Sequence, residues 1–212
     1  MDLSPLIAFF RTENKIDIIL YALHSKRAIT LQIYGCKFKI ENVPLFYTLS
    51  VLYNIFEKKI YNNLEVRGKI VIDVGGYLGD AAVYFAKCGA KRVYSIEAYP
   101  ELAGLIKENA KLNGVKITVI NRTISPARRV SISRNVTTPG IITWGNRSVR
   151  GMKLEDLPKA DVLKINVDTR TDPYIRKRFS MLRSRYKQIY WKSHHASRSD
   201  DPQKAHSNIV TS

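Results

Sequence analysis

Asp73, Gly75, Gly76, Gly79 and Asp80 crowd into eight residues, and Glu97 follows eighteen residues after Gly79. Three glycines at this spacing let a backbone turn sharply and approach a ligand closely. An acid about twenty residues on, at the end of the next apolar run, is the usual partner of two ribose hydroxyls. The ligand is not a dinucleotide by this pattern. A dinucleotide fingerprint starting at Gly75 needs glycines where Tyr77 and Asp80 stand. Tyr77 would crowd a pyrophosphate, and Asp80 at a helix start would repel one. S-adenosylmethionine carries a sulfonium, an ammonium and a carboxylate but no phosphate, so nearby acids are tolerable or useful. The alternative is a plain strand-turn-helix junction with Asp80 as helix N-cap.

A second group is Lys164, Asn166 and Asp168. Alternation places all three on one face of a strand end, on the edge where open α/β sheets bind ligands. Asn166 cannot act as a base, so Asp168 is the candidate for removing a proton, with a helix cap or an arginine partner as the alternative. His194 and His195 are adjacent, so at most one faces a cleft, and a solvated tail explains both. Tyr186, Tyr190 and Trp191 interleave with Arg183, Arg185, Lys187 and Lys192. That pattern fits either an RNA-stacking surface or buried aromatics with a basic outer face. No metal-ligand cluster is legible. Cys36 and Cys88 are isolated, which fits reduced thiols and a cytoplasmic protein.

The elements that must position these groups follow from apolar periodicity. Lys69–Val74 reads as a buried parallel strand, Asp80–Cys88 as a short helix stopped by Gly89, and Arg92–Glu97 as the next strand. Glu101–Leu112 is an amphipathic helix ended by Asn113-Gly114, and Val115–Asn121 a third strand. Arg128–Ser133 and Gly140–Trp144 are expected to form an inserted hairpin. Asp161–Asp168 is the fourth core strand and Lys187–Trp191 the fifth, with a basic helix over Pro173–Arg185 between them. This is an α/β fold, a Rossmann-like sheet with helices on both faces and C-terminal strands that are incomplete in the sequence. Ahead of it, residues 1–68 form an addition: short helices at Leu3–Phe10 and Ile16–Leu23, a hairpin of Ala28–Tyr34 and Cys36–Glu41, and a helix over Pro44–Tyr61. Residues 69–192 form the core, and 193–212 a polar, basic tail expected to be disordered.

Hydrophobic content of 45% and charged content of 25% are ordinary for a globular domain. No run approaches the roughly 18–20 apolar residues needed to span a bilayer, and the N-terminus lacks a signal-peptide pattern. The net charge of +17 is unusual, and +7 of it lies in residues 170–212. Such a surface attracts nucleic acid, anionic lipid or phosphorylated ligands. A merely solvated basic surface accounts for it equally.

The core resembles the FkbM-type S-adenosylmethionine-dependent methyltransferases. Val71–Asp80 is similar to that family's V-I-D-x-G-A-x-x-G-D turn, with Gly76 where Ala is usual. Val93–Pro100 looks like V-x-A-x-E-P-x-P, and Leu105–Asn113 like L-x-x-N-x-x-x-N. Met152–Leu157 with Asp161–Asp168 resembles the late L-D-D-L…D-x-L-K-I-D-x-E-G block, except that Asn166, Asp168 and Thr169 replace Asp, Glu and Gly. The resemblance implies methyl transfer to an oxygen of a small-molecule, sugar or glycan acceptor. Gly75, Gly76 and Gly79 would cradle the methionine moiety beside Tyr77, and Asp73 and Asp80 would face its ammonium. Glu97 would hold the ribose, Ala98 and Tyr99 would flank the adenine, and Asn121 and Arg122 would lie at its edge. Lys164, Asn166 and Asp168 would form the catalytic block. Two alternatives stay open: a cofactor-binding protein that has lost catalysis, and an RNA methyltransferase using the basic surface.

Overall fold

The computed structural model describes residues 2–132, 147–167 and 171–192, and the backbone of 207–211. The centre is a sheet whose first strand, β3 (Ile70–Val74), is a β-branched run buried on both faces. Ahead of it lie α1 (Ser4–Arg11), α2 (Lys15–Ala22), the antiparallel hairpin β1 (Ala28–Ile33) and β2 (Cys36–Glu41), and α3 (Leu45–Leu52). The helix expected over Pro44–Tyr61 is shorter: α3 gives way to a π-helical turn at Tyr53–Glu57.

After β3 come α4 (Asp80–Lys87), β4 (Arg92–Glu97), α5 (Pro100–Leu112) and β5 (Ile117–Asn121). Next are the short β6 (Thr123–Ile124), β7 (Arg129–Ile132) and β8 (Arg147–Met152). The chain then returns through β9 (Val162–Asn166), α6 (Asp172–Lys177), α7 (Phe179–Arg185) and β10 (Gln188–Lys192), and ends in β11 (Ser207–Thr211). The six-stranded sheet runs β11-β10-β9-β3-β4-β5. All its pairs are parallel except β10–β11. Strand order reverses between β3 and β9, and ligands of open α/β sheets sit beyond the carboxyl ends at such a point.

Two expectations change. The segment read as a polar tail contributes β11, whose antiparallel pairing with β10 gives the sheet an edge strand that alternation did not reveal. The inserted hairpin exists, but β7 pairs with β8 at Arg147–Met152; Gly140–Trp144 lies outside the described residues, as do His194 and His195.

Ile72, Val74, Leu163, Ile165, Ile189 and Trp191 cover one sheet face together with Ile175 of α6 and Leu182 of α7. Val71, Val93, Val162 and Tyr190 cover the other, against Ala81, Ala82 and Phe85 of α4. Fully burying aliphatic side chains of this size stabilises by about 1.5–3 kcal/mol each, so the two layers hold the strand ends rigidly. Tyr186, Tyr190 and Trp191 are buried here, which settles the aromatic and basic interleaving as core with a basic outer face.

Asn109 and Asn113, one turn apart on α5, clamp the N-terminal addition to the core. The Lys39 and Lys37 backbone N–H groups of β2 donate to Asn109 Oδ1 at 2.6 Å and Asn113 Oδ1 at 3.0 Å. The two side-chain amides donate back to the Lys39 and Lys37 carbonyls. Asn109 also donates to the Leu78 carbonyl at 2.9 Å, so the hairpin is tied directly to the glycine turn. The Asn-x-x-x-Asn spacing thus supplies side-chain partners for backbone groups on the edge of β2. Among the described residues, no helix is long and apolar enough to cross a membrane.

Candidate functional site

The register of β3 against β9 sets Asp73 opposite Lys164. Both are buried, and Lys164 Nζ lies 2.6 Å from Asp73 Oδ1. The same ammonium donates to the Gly75 carbonyl at 3.0 Å, and Ser95 Oγ to Asp73 Oδ2 at 3.3 Å. The pair therefore pins the first residue of the turn from below. Gly75 has φ +80°, and a Cβ there would overlap the Asn166 carbonyl, so only glycine lets the ends of β3 and β9 meet. A Cβ at Gly76 would overlap Ser95 Oγ, and at Gly79 it would press on Ile106. The close approaches these glycines permit are to the protein itself.

This placement redistributes the roles expected of the motif. Asp73 is ion-paired with Lys164 and accepts from Ser95. Lys164 is 2% exposed at its side chain and serves the same pair. Asn166 is half-buried and contributes its carbonyl to the contact with the turn. Asp168 lies outside the described residues.

Asp80 and Glu97 are the other two acids beside the turn, and both are buried. Asp80 opens α4, and its Oδ1 accepts the Ala81 N–H at 2.6 Å. Its Oδ2 is buried without a hydrogen-bond partner among the described residues. Burial pushes the Asp80 carboxyl up to about 7 against the lowering pull of Lys164. A buried carboxylate oxygen facing no donor is costly, and a ligand ammonium would relieve it. Glu97 closes β4. Its Oε2 accepts the Tyr77 N–H at 2.8 Å and its Oε1 the Tyr99 N–H at 2.9 Å. Burial raises this carboxyl also to about 7, although both N–H groups pull it down. Each oxygen keeps acceptor capacity for one further hydrogen bond, and the two backbone bonds fix the orientation of the carboxylate.

Tyr77 adopts a left-handed backbone, φ 48°, which is rare for a bulky residue. It is held there by its N–H bond to Glu97 and by its hydroxyl, 2.8 Å from Thr48 Oγ1 on α3; the Tyr47 ring stands edge-on to it at 5.5 Å. Ala98 and Tyr99 are buried beside Leu102. Asn121 bonds backward, its amide donating to the Glu97 and Ala98 carbonyls at 2.8 and 3.0 Å. It fixes the wall of the site, while Arg122 beside it is half-buried.

Two features escaped the sequence reading. The Asp73–Lys164 pair joins residues 91 apart in the chain, and only the strand register reveals it. Lys192 ends β10 opposite Asn166. Its amine is held below the usual lysine range, by burial first and by the Lys164 charge second. No group of acids, histidines and cysteines among the described residues is arranged to hold a metal ion.

Comparison with known proteins agrees with this geometry. Residues 30–142, just over half of the chain, match the family model of the TRM5/TYW2 methyltransferase domain. A rice (Oryza sativa subsp. indica) protein arginine N-methyltransferase 1 is 44% identical over 61 residues, covering 28% of this chain and 16% of that protein. An Arabidopsis thaliana arginine N-methyltransferase 6 homologue is 42% identical over 55 residues, covering 26% and 12%. The aligned stretches are thus less than a third of either protein. Among solved structures, Trm5b from Pyrococcus abyssi is similar at 17% identity over 78% of this chain and 41% of that one, with a TM-score of 0.48. The M. jannaschii tRNA m1G37 methyltransferase is similar at 15% over 80% and 44%, also at 0.48.

The match stops before the block at Met152–Asp168 that carried the FkbM resemblance. What the FkbM reading shares with the matched family is the class I core, with S-adenosylmethionine as cofactor; its finer assignment gives way. The fold is that of a class I S-adenosylmethionine-dependent methyltransferase, and the chain belongs to the TRM5/TYW2 methyltransferase domain family.

Proposed function

We propose that this protein methylates RNA. The observation that carries the reading is the family match over residues 30–142, since the family is named for Trm5 and a solved relative is by its title a tRNA m1G37 methyltransferase. The net charge of +17 supports it, because neutralising phosphates is the main source of affinity for nucleic acid. The reading of a sugar or small-molecule hydroxyl acceptor rested on Lys164, Asn166 and Asp168. It is weaker here, because Lys164 is locked to Asp73 and Asn166 cannot take a proton.

Bound S-adenosylmethionine supplies an electrophilic methyl group on its sulfonium. The chain's own part is to hold the reactants in line. Asp80 offers its unsatisfied oxygen to the ammonium, and Glu97 accepts the ribose hydroxyls. Lys192 ends β10 opposite Asn166 at the carboxyl edge of the sheet, where it can face the acceptor.

The test supplies tritiated-methyl S-adenosylmethionine with unmodified transfer RNA, a glycan pool or a protein pool. The expected result is ribonuclease-sensitive label in the RNA, lost in Glu97→Ala. Label in the glycan or protein pool alone, or in none, overturns the reading.

A further inference from the structure

The β7–β8 ribbon carries an arrangement that the fold alone does not explain. Its register sets Val130 against Val149 and Ile132 against Arg147, and on the alternate face Ser131 against Ser148 and Arg129 against Arg150. The first face turns inward: Ile132 and Val149 are buried in one cluster with Ala98, Tyr99 and Leu102, and Arg147 pairs with Glu101 at the start of α5. The ribbon is therefore anchored to the wall of the cofactor site. The second face is exposed, and it places two arginines directly opposite each other.

Like charges directly opposite on antiparallel strands are destabilising, and no acid among the described residues offsets this pair. Among the described residues Arg129 donates to Ser148 Oγ, at 3.5 Å. Among the described residues neither it nor Arg128, Arg150 or Lys153 has an acidic partner, whereas Arg11, Arg147 and Arg178 each have one. The crowding is also built in by the backbone. Gly151 donates to the Arg128 carbonyl at 2.9 Å, and a Cβ at Gly151 would overlap the Ala127 carbonyl. Glycine there lets β8 lie against residues 127–128, which brings Arg128 and Arg150 to one end of the ribbon.

A face of arginines spaced by small hydroxyls, uncompensated and rigidly mounted beside a cofactor pocket, matches a chain of phosphates. Arginine forks pair with phosphate oxygens, and the serines add hydroxyl donors without bulk. We propose that the outward face of the β7–β8 ribbon, centred on Arg129 and Arg150, docks the sugar-phosphate backbone of the acceptor RNA. The inference rests on the RNA reading above and adds where the RNA lies relative to the cofactor.

The experiment measures binding of unmodified transfer RNA by fluorescence anisotropy across a salt series. It compares wild type, Arg129→Gln/Arg150→Gln, and a charge-matched control, Lys91→Gln/Lys116→Gln, at exposed positions just before the amino ends of β4 and β5, the far end of the strands from the ribbon. Titration with S-adenosylmethionine checks that each variant is folded. The ribbon variant is expected to bind RNA about tenfold more weakly at low salt, to lose about one unit of salt slope per arginine, and to keep wild-type cofactor affinity. The control should change RNA affinity by less than about twofold. Equal loss in both variants, or none in the ribbon variant, overturns the docking surface while leaving the RNA reading standing. Absence of RNA binding by wild type overturns both.

Discussion

The floor of the site and its rim solve opposite problems. Under the glycine turn, Lys164 is ion-paired with Asp73 and donates to the Gly75 carbonyl, and Ser95 donates to the other Asp73 oxygen, all in a volume closed to solvent. At the rim, Arg128, Arg129, Arg150 and Lys153 stand exposed with no acidic partner among the described residues. Both regions are polar, and they lie on opposite sides of the same glycine turn and α5 wall. The difference shows where each kind of charge is used. Buried charge is paired within the chain and sets backbone geometry; exposed charge is left over and is available to a ligand. Asp80 stands between the two regimes, buried like the floor but with one oxygen uncommitted like the rim.

The contrast breaks most directly at Lys164. Lys164→Met leaves Asp73 as an uncompensated buried charge, which typically costs about 3–5 kcal/mol. Denaturant unfolding should show that loss, and the double variant Asp73→Asn/Lys164→Met should recover part of it. If the single variant is as stable as wild type, the pair does not hold the floor.

The next effect in size is a pH dependence. The Asp80 and Glu97 carboxyls have folded values near 7, above the ordinary 3.8 and 4.5. The folded state therefore holds more protons than the unfolded state between about pH 4 and 7, and stability must fall as pH rises through that window. The loss is at most roughly 3–4 kcal/mol per group. Thermal unfolding without added cofactor should show this decline, and Asp80→Asn should flatten it. A profile that rises from pH 4 to 7 in wild type would contradict the placement of both acids.

How much of this was legible in the sequence tracks how local each feature is. The glycine turn, Glu97 and the strands around them announce themselves within thirty residues through period and composition. The Asn109 and Asn113 spacing was visible as a pattern, but its purpose, bonding the backbone of β2, needed the hairpin in place. The Asp73–Lys164 pair was invisible because each partner sits in a different strand of the same apolar type. Lys164 read as a catalytic group because it shares a strand-end face with Asn166 and Asp168 and sits in the block resembling the FkbM family, while its partner across the sheet gives no such signal. β11 was missed for another reason: the residues before it are polar, and its five residues alone carry too short a pattern.

Glu97→Ala separates the binding acids from the paired ones. It removes two backbone acceptors, for Tyr77 and Tyr99, together with the proposed diol acceptor. S-adenosylmethionine affinity measured calorimetrically should fall about 10- to 100-fold, or roughly 1.4–2.8 kcal/mol. Glu97→Gln keeps a carbonyl acceptor and should lose less. Equal affinity in all three proteins would remove Glu97 from the cofactor site.

The smallest expected effect sharpens the comparison most, because its sign runs against ordinary mutational loss. Arg147 and Arg150 lie three residues apart on β8, yet among the described residues only the first has an acidic partner. Removing the charge of Arg147 sacrifices an exposed ion pair and should cost at most about 0.5–1 kcal/mol. Removing that of Arg150 relieves a directly opposed like charge and should stabilise the protein by about 0.2–0.5 kcal/mol. Arg147→Gln and Arg150→Gln measured side by side by chemical denaturation, with salt titrated, test this. Added salt screens the Arg129–Arg150 repulsion, so the gain from Arg150→Gln should shrink as salt rises. A charge whose removal stabilises the fold is not there for the fold. If Arg150→Gln destabilises as Arg147→Gln does, the ribbon's outer face belongs with the paired floor after all, and the division between satisfied interior and uncompensated rim fails at its clearest point.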